Sequence, residues 1–191
     1  MGEPNGVLVL SGPPCSGKSS VGRILAAEPP TSPRRHVYIE VDSLFTLMLP
    51  RSDRGRDDRM LAYDAAHLLT RMLLGRGESV VLECTYARRE QRASLVEALA
   101  DLPSAPLQVV EFFISPDDAV QRFRLRDQAT DLDEQSVRER AEAFPFFDDA
   151  YRLTSSAAPP DHLARTLASW WRHSSPPMDR DAWAGAGRAW A

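Results

Sequence analysis

A glycine-rich loop near the start of this sequence constrains its fold more than any other feature. Gly12 to Ser19 reads G-P-P-C-S-G-K-S, which fits the pattern G-x-x-x-x-G-K-S. It follows the apolar run Val7 to Leu10, and Ser20 to Ala27 continues as a predicted helix. A strand, a glycine loop and a helix in this order are the context that a phosphate-binding P-loop requires. The alternative, a glycine turn that happens to precede a helix, does not account for the four fixed positions.

Each residue type in the loop suits the binding of a nucleotide phosphate. Gly12 and Gly17 allow backbone angles that let successive N–H groups point at one anion, and the helix N-terminus adds positive charge. Lys18, the only lysine in the sequence, would contact the β- and γ-phosphates, and the Ser19 hydroxyl would bind Mg2+. The residues predicted to bind the nucleotide are Gly12, Pro13, Pro14, Cys15, Ser16, Gly17, Lys18, Ser19 and Ser20.

The bulk properties narrow the class of protein. A chain of 191 residues with net charge −4 is long enough for one well-buried core and does not favour a dedicated nucleic-acid or anionic-membrane binder. The two cysteines match neither a zinc site nor a disulfide framework, which predicts a reducing cytoplasm. No apolar run approaches the length of a membrane span, and Met1 to Gly6 has no signal-like pattern.

Apolar runs alternate with helical patterns along the chain, which predicts an α/β fold with a parallel sheet and helices on both faces. We expect a three-layer αβα sandwich with five strands, and a helical lid at about residues 116–145. One domain would occupy residues 1–173. Residues 174–191 are rich in Pro, Gly and Ala and predict a flexible tail, although Trp183 and Trp190 could dock. Breaks are predicted at Glu28 to Pro33 and at the polar stretch Asp127 to Glu134.

Polar residues at the ends of the predicted strands are the main catalytic candidates, because ligands bind at the carboxyl ends of parallel strands. Asp42 follows the second predicted strand and could act as the general base for an acceptor hydroxyl; alternatively it caps the next helix. Glu83 closes the third apolar run and could hold Mg2+ through water; alternatively it is satisfied by backbone groups or an arginine.

Arginines supply the remaining candidates. Arg122 and Arg126 are four residues apart and are predicted to share a helix face in the lid, where they could neutralise the transferring phosphoryl group. Among Arg88, Arg89 and Arg92, one could bind an anionic part of a substrate, or all three could lie on the surface. Arg138 and Arg140 are predicted to be solvated. The stretch from Arg51 to Arg59 predicts an exposed loop, whose charges could be solvated or could contact a substrate.

The long predicted helix from Met60 to Leu74 adds three lesser candidates. His67 is expected to pack rather than to react. Tyr63 and Asp64 could line the acceptor pocket, but the sequence does not decide this.

These motifs resemble the small P-loop kinases grouped with chloramphenicol phosphotransferase, the kinase domain of polynucleotide kinase and zeta-toxin-type kinases. The matches are the loop itself, V-D-S-L at Val41 to Leu44, V-V-L-E-C-T at Val80 to Thr85 with R-R-E-Q-R at Arg88 to Arg92, and the lid arginines. The resemblance implies that Lys18 and Ser19 bind phosphate and Mg2+, that Asp42 activates the acceptor and that Arg126, with Arg122, acts from the lid. It also implies that Ser155 to Ala158 lies near the adenine.

The expected function is therefore transfer of the γ-phosphate of ATP to a hydroxyl of a small molecule such as an antibiotic, a nucleoside or a related metabolite. ATP is favoured over GTP because the sequence contains no N-K-x-D segment. The alternatives are a polynucleotide or tRNA-end 5′-hydroxyl kinase and a non-catalytic nucleotide switch. The expected partners are ATP, Mg2+ and the small hydroxylated substrate, with neither a nucleic acid nor a membrane.

Overall fold

The fold is known from a computed structural model that describes residues 6–27, 36–126, 131–173 and 176–190. The predicted break from Glu28 to Pro33, most of the Met1 to Gly6 segment and residues 127–130 of the predicted polar stretch lie outside these ranges. The strands are β1 (Val7–Ser11), β2 (His36–Glu40), β3 (Ser79–Glu83), β4 (Leu107–Phe113) and β5 (Tyr151–Thr154). The helices within the described ranges are α1 (Lys18–Ala27), α2 (Val41–Met48), α3 (Arg56–Gly75), α4 (Arg89–Ala98), α5 (Pro116–Arg124), α6 (Glu134–Glu142), α7 (Pro160–His173) and α8 (Arg180–Gly185).

The five strands form one parallel sheet in the order β2-β3-β1-β4-β5. Successive side chains of β1 point to opposite faces, so Val7 and Val9 join one core while Leu8 and Leu10 join the other. The first core includes residues of α2, α3, α4 and α8, and the second includes residues of α1 and α7. The predicted three-layer fold with a five-stranded parallel sheet is confirmed.

The connections after β2 differ from the sequence-based expectation. β2 ends at Glu40 and α2 begins at Val41, so Asp42 lies in the first turn of a helix rather than at the end of a strand. The predicted loop from Arg51 to Arg59 is wrong in its second half, because α3 already begins at Arg56. Asp57 and Asp58 favour that early start, since acidic side chains stabilise the first turn of a helix.

The segment expected to be a lid consists of α5 and α6. The Ser115 hydroxyl caps α5 by accepting a hydrogen bond from the Asp118 backbone N–H at 3.1 Å. A small apolar core joins the two helices and includes Cys15 of the P-loop. These two helices therefore pack directly on the phosphate-binding loop. α5 ends at Arg124, so Arg126 lies beyond the helix and does not share a helical face with Arg122.

The prediction of a flexible C-terminal tail is wrong for residues 176–190. Trp183 on α8 is fully buried in the core against α3 and α4. Arg180 donates hydrogen bonds to the carbonyls of Leu99 and Leu102 at 2.9 and 3.0 Å. The Pro- and Gly-rich composition concealed this docking, because one large side chain and a few backbone bonds are enough to hold the segment in place.

Arg92 connects the tail to the rest of the domain. Its guanidinium is completely buried and donates hydrogen bonds to the carbonyls of Tyr86, Pro145 and Trp183 at 2.8 to 3.1 Å. It also lies 3.4 Å from the buried carboxylate of Glu111. A charge in this position is stabilised by its partners and is not available to a substrate. The hypothesis that Arg92 binds an anionic substrate is therefore wrong.

We predict that Trp183→Ala lowers the free energy of unfolding by about 3–5 kcal/mol, the usual cost of emptying a buried aromatic site. Urea denaturation measures the loss. Leu47→Ala is the control, because Leu47 is 79 % exposed and its truncation should cost no more than about 0.5 kcal/mol. Equal stability of the two variants would contradict the docked position of the tail.

A second prediction concerns Glu111 and pH. Burial raises the pKa of Glu111 from 4.5 to about 7, although the Phe147 N–H and the Arg92 and Arg152 guanidinium groups oppose the rise. The folded protein then holds a proton that the unfolded chain has released, so the free energy of unfolding falls as the pH rises from about 4.5 to about 7.

Denaturation at a series of pH values measures this effect as the difference in unfolding free energy between the wild type and Glu111→Gln. The difference is needed because burial lowers the pKa of His67 to about 3, which makes the stability of both proteins rise with pH over part of the same range. We expect the wild-type value minus the Glu111→Gln value to fall as the pH rises from about 4.5 to about 7. Glu97→Gln, which changes an exposed glutamate on α4, should keep the wild-type slope. A difference that stays constant or rises over this range would be evidence against the raised pKa.

Candidate functional site

The backbone of the P-loop has positive φ angles at Gly12 and Gly17, as the glycines at these positions predict. Gly12 and Gly17 have φ of 145° and 85°, which side-chain-bearing residues rarely adopt. A Cβ on Gly12 would lie 2.7 Å from the Phe112 carbonyl oxygen, so only glycine fits between β1 and β4. Cys15 adopts φ of 62° without being a glycine, and its side chain is held by the lid core.

The carbonyl oxygen of Thr85 fixes the start of the loop. It accepts hydrogen bonds from the Ser11 hydroxyl at 2.9 Å and from the Gly12 N–H at 3.3 Å. β3 ends at Glu83, and Thr85 lies two residues further along the chain, after Cys84. The phosphate-binding loop and the connection after β3 are therefore held together at one edge of the sheet.

Lys18, Ser19 and Glu83 form one buried polar cluster. The Lys18 ammonium donates to the Pro13 carbonyl at 2.9 Å and lies 4.0 Å from a Glu83 oxygen. The Ser19 hydroxyl donates to the other Glu83 oxygen at 3.1 Å, and the Tyr38 hydroxyl lies 3.3 Å from the same oxygen. Burial raises the pKa of Glu83, and the positive charge of Lys18 opposes this. The cluster places the P-loop serine beside the carboxylate at the end of β3.

A cavity of about 160 Å³ lies over this cluster, and we call it the phosphate cavity because the P-loop lines it. It brings together predicted site residues from four different segments, including Lys18, Ser19, Asp42, Glu83 and Arg126. The P-loop residues from Pro14 to Ser20 form its floor. The cavity therefore has the backbone donors, the ammonium and the arginine that a triphosphate requires.

A second cavity, of about 300 Å³, adjoins the first. The residues that line both cavities are Asp42, Arg54, Arg59, Thr85 and Arg140. The carboxylate of Asp42 thus lies at the junction of the phosphate cavity and a separate space. The N-cap of α2 is Glu40, so Asp42 does not occupy the capping position considered for it.

A third cavity, of about 540 Å³, lies on the other side of the P-loop. Arg122 lines it and donates to the Cys15 carbonyl at 3.3 Å and to the Ser155 hydroxyl and carbonyl at 3.1 and 3.0 Å. Arg126 lines this cavity and the phosphate cavity, whereas Arg122 lines only this one. Of the two lid arginines, only Arg126 therefore reaches the side where the phosphates are expected.

Several candidate residues lie away from the three cavities. His67 is buried between the Ser94 hydroxyl and the Tyr86 hydroxyl, each 2.8 Å away, and burial lowers its pKa to about 3. It is a neutral packing residue, as expected. Asp64 accepts a hydrogen bond from Ser94 instead of lining the acceptor cavity, while Tyr63 does line it.

Sequence reasoning missed two groups of residues. Arg140, interpreted as solvated, lines both the phosphate cavity and the 300 Å³ cavity. Arg188 and Trp190 belong to the supposed flexible tail but line the 300 Å³ cavity. Only the two tryptophans of the tail hinted at this placement.

The described residues contain no cluster of three or more His, Cys, Asp or Glu side chains that could hold a metal ion by themselves. A cation would need other oxygen donors, such as the Ser19 hydroxyl and nucleotide phosphates. None of the helices in the described ranges is both long enough and apolar enough to cross a membrane.

Comparison with known proteins places these features in a family. A family model described as an AAA domain matches residues 7–146. Solved structures with a similar fold include a gluconokinase from Sinorhizobium meliloti, at 22 % identity and TM-score 0.64, covering 89 % of this chain and 93 % of that one. An APS kinase from Mycobacterium tuberculosis in complex with AMPPNP and APS has 20 % identity and TM-score 0.61, covering 87 % and 97 %.

A tunicamycin resistance protein from Deinococcus radiodurans is also similar, at 13 % identity and TM-score 0.61, covering 91 % of this chain and 99 % of that one. At these identities the likeness shows the fold. None of the curated protein sequences compared with the chain matches it.

We predict that Lys18→Ala weakens nucleotide binding at least about tenfold, since a charge-assisted contact contributes about 1.5–3 kcal/mol. Calorimetry with AMPPNP measures the change. Arg23→Gln is the matched control, because it removes an exposed cation on the same helix that pairs with Glu40 outside the cavities. Unchanged affinity in Lys18→Ala would exclude the phosphate role of this lysine.

Proposed function

We propose, since this chain belongs to the AAA domain family, that it is an ATP-dependent kinase that transfers the γ-phosphate to a hydroxyl of a small molecule. An antibiotic, a nucleoside or a related metabolite is the proposed acceptor. The observation that carries the proposal is the position of Asp42 at the junction of the phosphate cavity and the adjoining 300 Å³ cavity. A base at such a junction can contact both the acceptor hydroxyl and the terminal phosphate.

ATP would span two of the three cavities. Its adenosine would occupy the 540 Å³ cavity, whose lining includes Ser155, Ser156 and Ala158. Its phosphates would lie on the P-loop, where the backbone N–H groups and the Lys18 ammonium stabilise the negative charge. This leaves the 300 Å³ cavity free for the acceptor.

Mg2+ fits the same site. The Ser19 hydroxyl and the Glu83 carboxylate already share a hydrogen bond of 3.1 Å, so a cation beside them would find one direct ligand and one carboxylate able to hold a bound water. When bound, Mg2+ would neutralise charge on the β- and γ-phosphates. Glu83 would also keep the Ser19 side chain in place.

The reaction then follows from the arrangement of the residues. The acceptor oxygen attacks the γ-phosphorus while the bond from that phosphorus to the β,γ-bridging oxygen breaks, which leaves ADP. Asp42 orients the acceptor hydroxyl and takes its proton. Lys18 and Arg126 stabilise the charge on the transferring group, because both line the phosphate cavity. Arg122 holds Ser155 and the Cys15 carbonyl, and so positions the nucleoside side of the site.

We predict that Asp42→Asn reduces phosphoryl transfer by at least about a hundredfold, the usual contribution of a general base. A screen of hydroxylated metabolites, nucleosides and antibiotics, read by mass spectrometry for gain of one phosphate, identifies the acceptor and provides the assay. Full transfer by Asp42→Asn would rule out the assigned base.

The control for Asp42→Asn is retained nucleotide binding. Lys18 is the only lysine in the sequence. Nucleotide binding can therefore be followed by how far added ATP protects the Lys18 amine from an acylating reagent. We expect equal protection in the wild type and in Asp42→Asn. Slow hydrolysis of ATP that no alcohol accelerates would instead favour a nucleotide switch.

A further inference from the structure

The side chains that line the 300 Å³ cavity carry an excess of positive charge. Arginines from five segments line it, and among the residues that the structure describes Asp42 is the only carboxylate in its lining; the arginines are Arg54, Arg56, Arg59, Arg88, Arg140 and Arg188. We propose that the phosphoryl acceptor is itself an anion, an alcohol that carries a carboxylate, phosphate or sulfate group, and that Arg88 and Arg188 bind this group. The inference rests on the proposed kinase function and specifies the class of its substrate.

Binding of ATP does not account for Arg88 and Arg188. Both line the 300 Å³ cavity and neither lines the phosphate cavity. Arg54, Arg59 and Arg140 line both cavities, so their charge could serve the transferring phosphoryl group. Three arginines line only the 300 Å³ cavity, and one of them, Arg56, lies 3.8 Å from Glu90. Arg88 and Arg188 therefore remain for the acceptor.

The carboxylates near the cavity are engaged with other arginines. Asp131 pairs with Arg59 at 2.9 Å and with Arg54 at 3.7 Å. Glu90 lies 3.8 Å from Arg56. Within the described parts of the chain, no carboxylate lies within 4.0 Å of the Arg88 or Arg188 guanidinium. The cavity therefore has positive charge that a bound anion would compensate.

Backbone groups hold the main chain of Arg188 and the guanidinium of Arg88 in position before any ligand arrives. The Arg188 N–H donates to the Ala87 carbonyl at 3.0 Å, and the Arg89 N–H donates to the Arg188 carbonyl at 2.8 Å, which forms a parallel bridge. The Arg88 guanidinium donates to the Ala189 carbonyl at 2.7 Å. Gly187 permits this approach, because a Cβ there would lie 2.6 Å from the Arg89 nitrogen. Preorganised donors lower the entropy cost of binding.

The rest of the lining suits the body of a small alcohol. Phe45, Tyr63, Phe144 and Trp190 present apolar or aromatic surface. Trp190 lies against the Arg88 guanidinium, with 4.9 Å to the ring centroid, so it fixes the arginine as well as covering the cavity. A volume of about 300 Å³ is at the lower end of the range for small-molecule sites. This favours a compact anionic alcohol over a polynucleotide end.

The first experiment measures anion binding without requiring transfer. Protein saturated with AMPPNP and Mg2+, so that the P-loop is occupied, is titrated with citrate by calorimetry. We expect saturable binding that weakens at least about tenfold in Arg88→Gln and in Arg188→Gln, the loss of roughly one charge-assisted contact. Arg165→Gln is the matched control and should bind as the wild type does, since Arg165 is exposed on α7 and pairs with Asp161.

The second experiment compares transfer to paired acceptors, each a neutral alcohol and a related anionic one. The pairs are glycerol and glycerol 3-phosphate, glucose and gluconate, and uridine and uridine 3′-monophosphate, with a 5′-hydroxyl oligonucleotide as a fourth arm. We expect phosphate gain only in the anionic small molecules. For the accepted compound, Arg188→Gln should raise KM at least about tenfold with kcat changed less than about twofold, as expected when binding common to ground and transition states is lost. Arg188→Lys should recover part of the affinity.

The outcomes separate this inference from the proposed function. Transfer to neutral alcohols, or preference for the oligonucleotide, would support a kinase and overturn the anionic small acceptor. No second-site binding of citrate would also overturn it. Citrate binding that depends on Arg88 and Arg188, together with no transfer to any acceptor, would support the anion site and contradict the kinase.

Discussion

The shared carbonyl of Thr85 is the contact on which the geometry of the site depends. It accepts hydrogen bonds from Ser11 and Gly12, and so it joins the start of the P-loop to the segment that follows β3. The same residue lines the phosphate cavity and the adjoining 300 Å³ cavity. Because the carboxyl ends of parallel strands meet at one edge, a single backbone acceptor can set the distance between two ligand sites.

Thr85 fixes the start of the P-loop, and Arg92 fixes the C-terminal segment that lines the 300 Å³ cavity. Its buried guanidinium joins the carbonyls after β3, after α6 and on α8. A buried cation is costly unless it is paired and hydrogen-bonded, and here three carbonyls and the Glu111 carboxylate accept hydrogen bonds from it. The C-terminal segment that carries Arg188 and Trp190 is thereby fixed to the same framework as the P-loop.

The charged side chains are divided between two roles. Arg92 and Glu111 are fully buried and structural, whereas the arginines around the 300 Å³ cavity remain accessible to a ligand. Clustered guanidinium groups repel each other, so the fold must hold them there by backbone bonds, aromatic contacts and shared carboxylates such as Asp131. Such an arrangement costs stability in the free protein and is offset when an anion binds.

The amino-acid sequence by itself determined the P-loop, the parallel α/β fold and the family. Glycines at fixed spacing and apolar runs of strand length are local patterns. They can be recognised from neighbouring residues alone. The predicted cluster of Lys18, Ser19, Asp42 and Glu83 follows from the rule for strand ends and lies around one cavity. Its members' roles in catalysis stay predictions.

Only the tertiary structure decided what the remaining arginines do. Arg92, Arg140 and Arg188 look alike in the sequence, yet the first is buried, the second borders two cavities and the third comes from a segment predicted to be flexible. Their environments depend on contacts between residues up to about a hundred positions apart, such as the bond from Arg88 to Ala189. Local composition does not encode such long-range contacts, because burial and charge balance arise only when distant segments pack together.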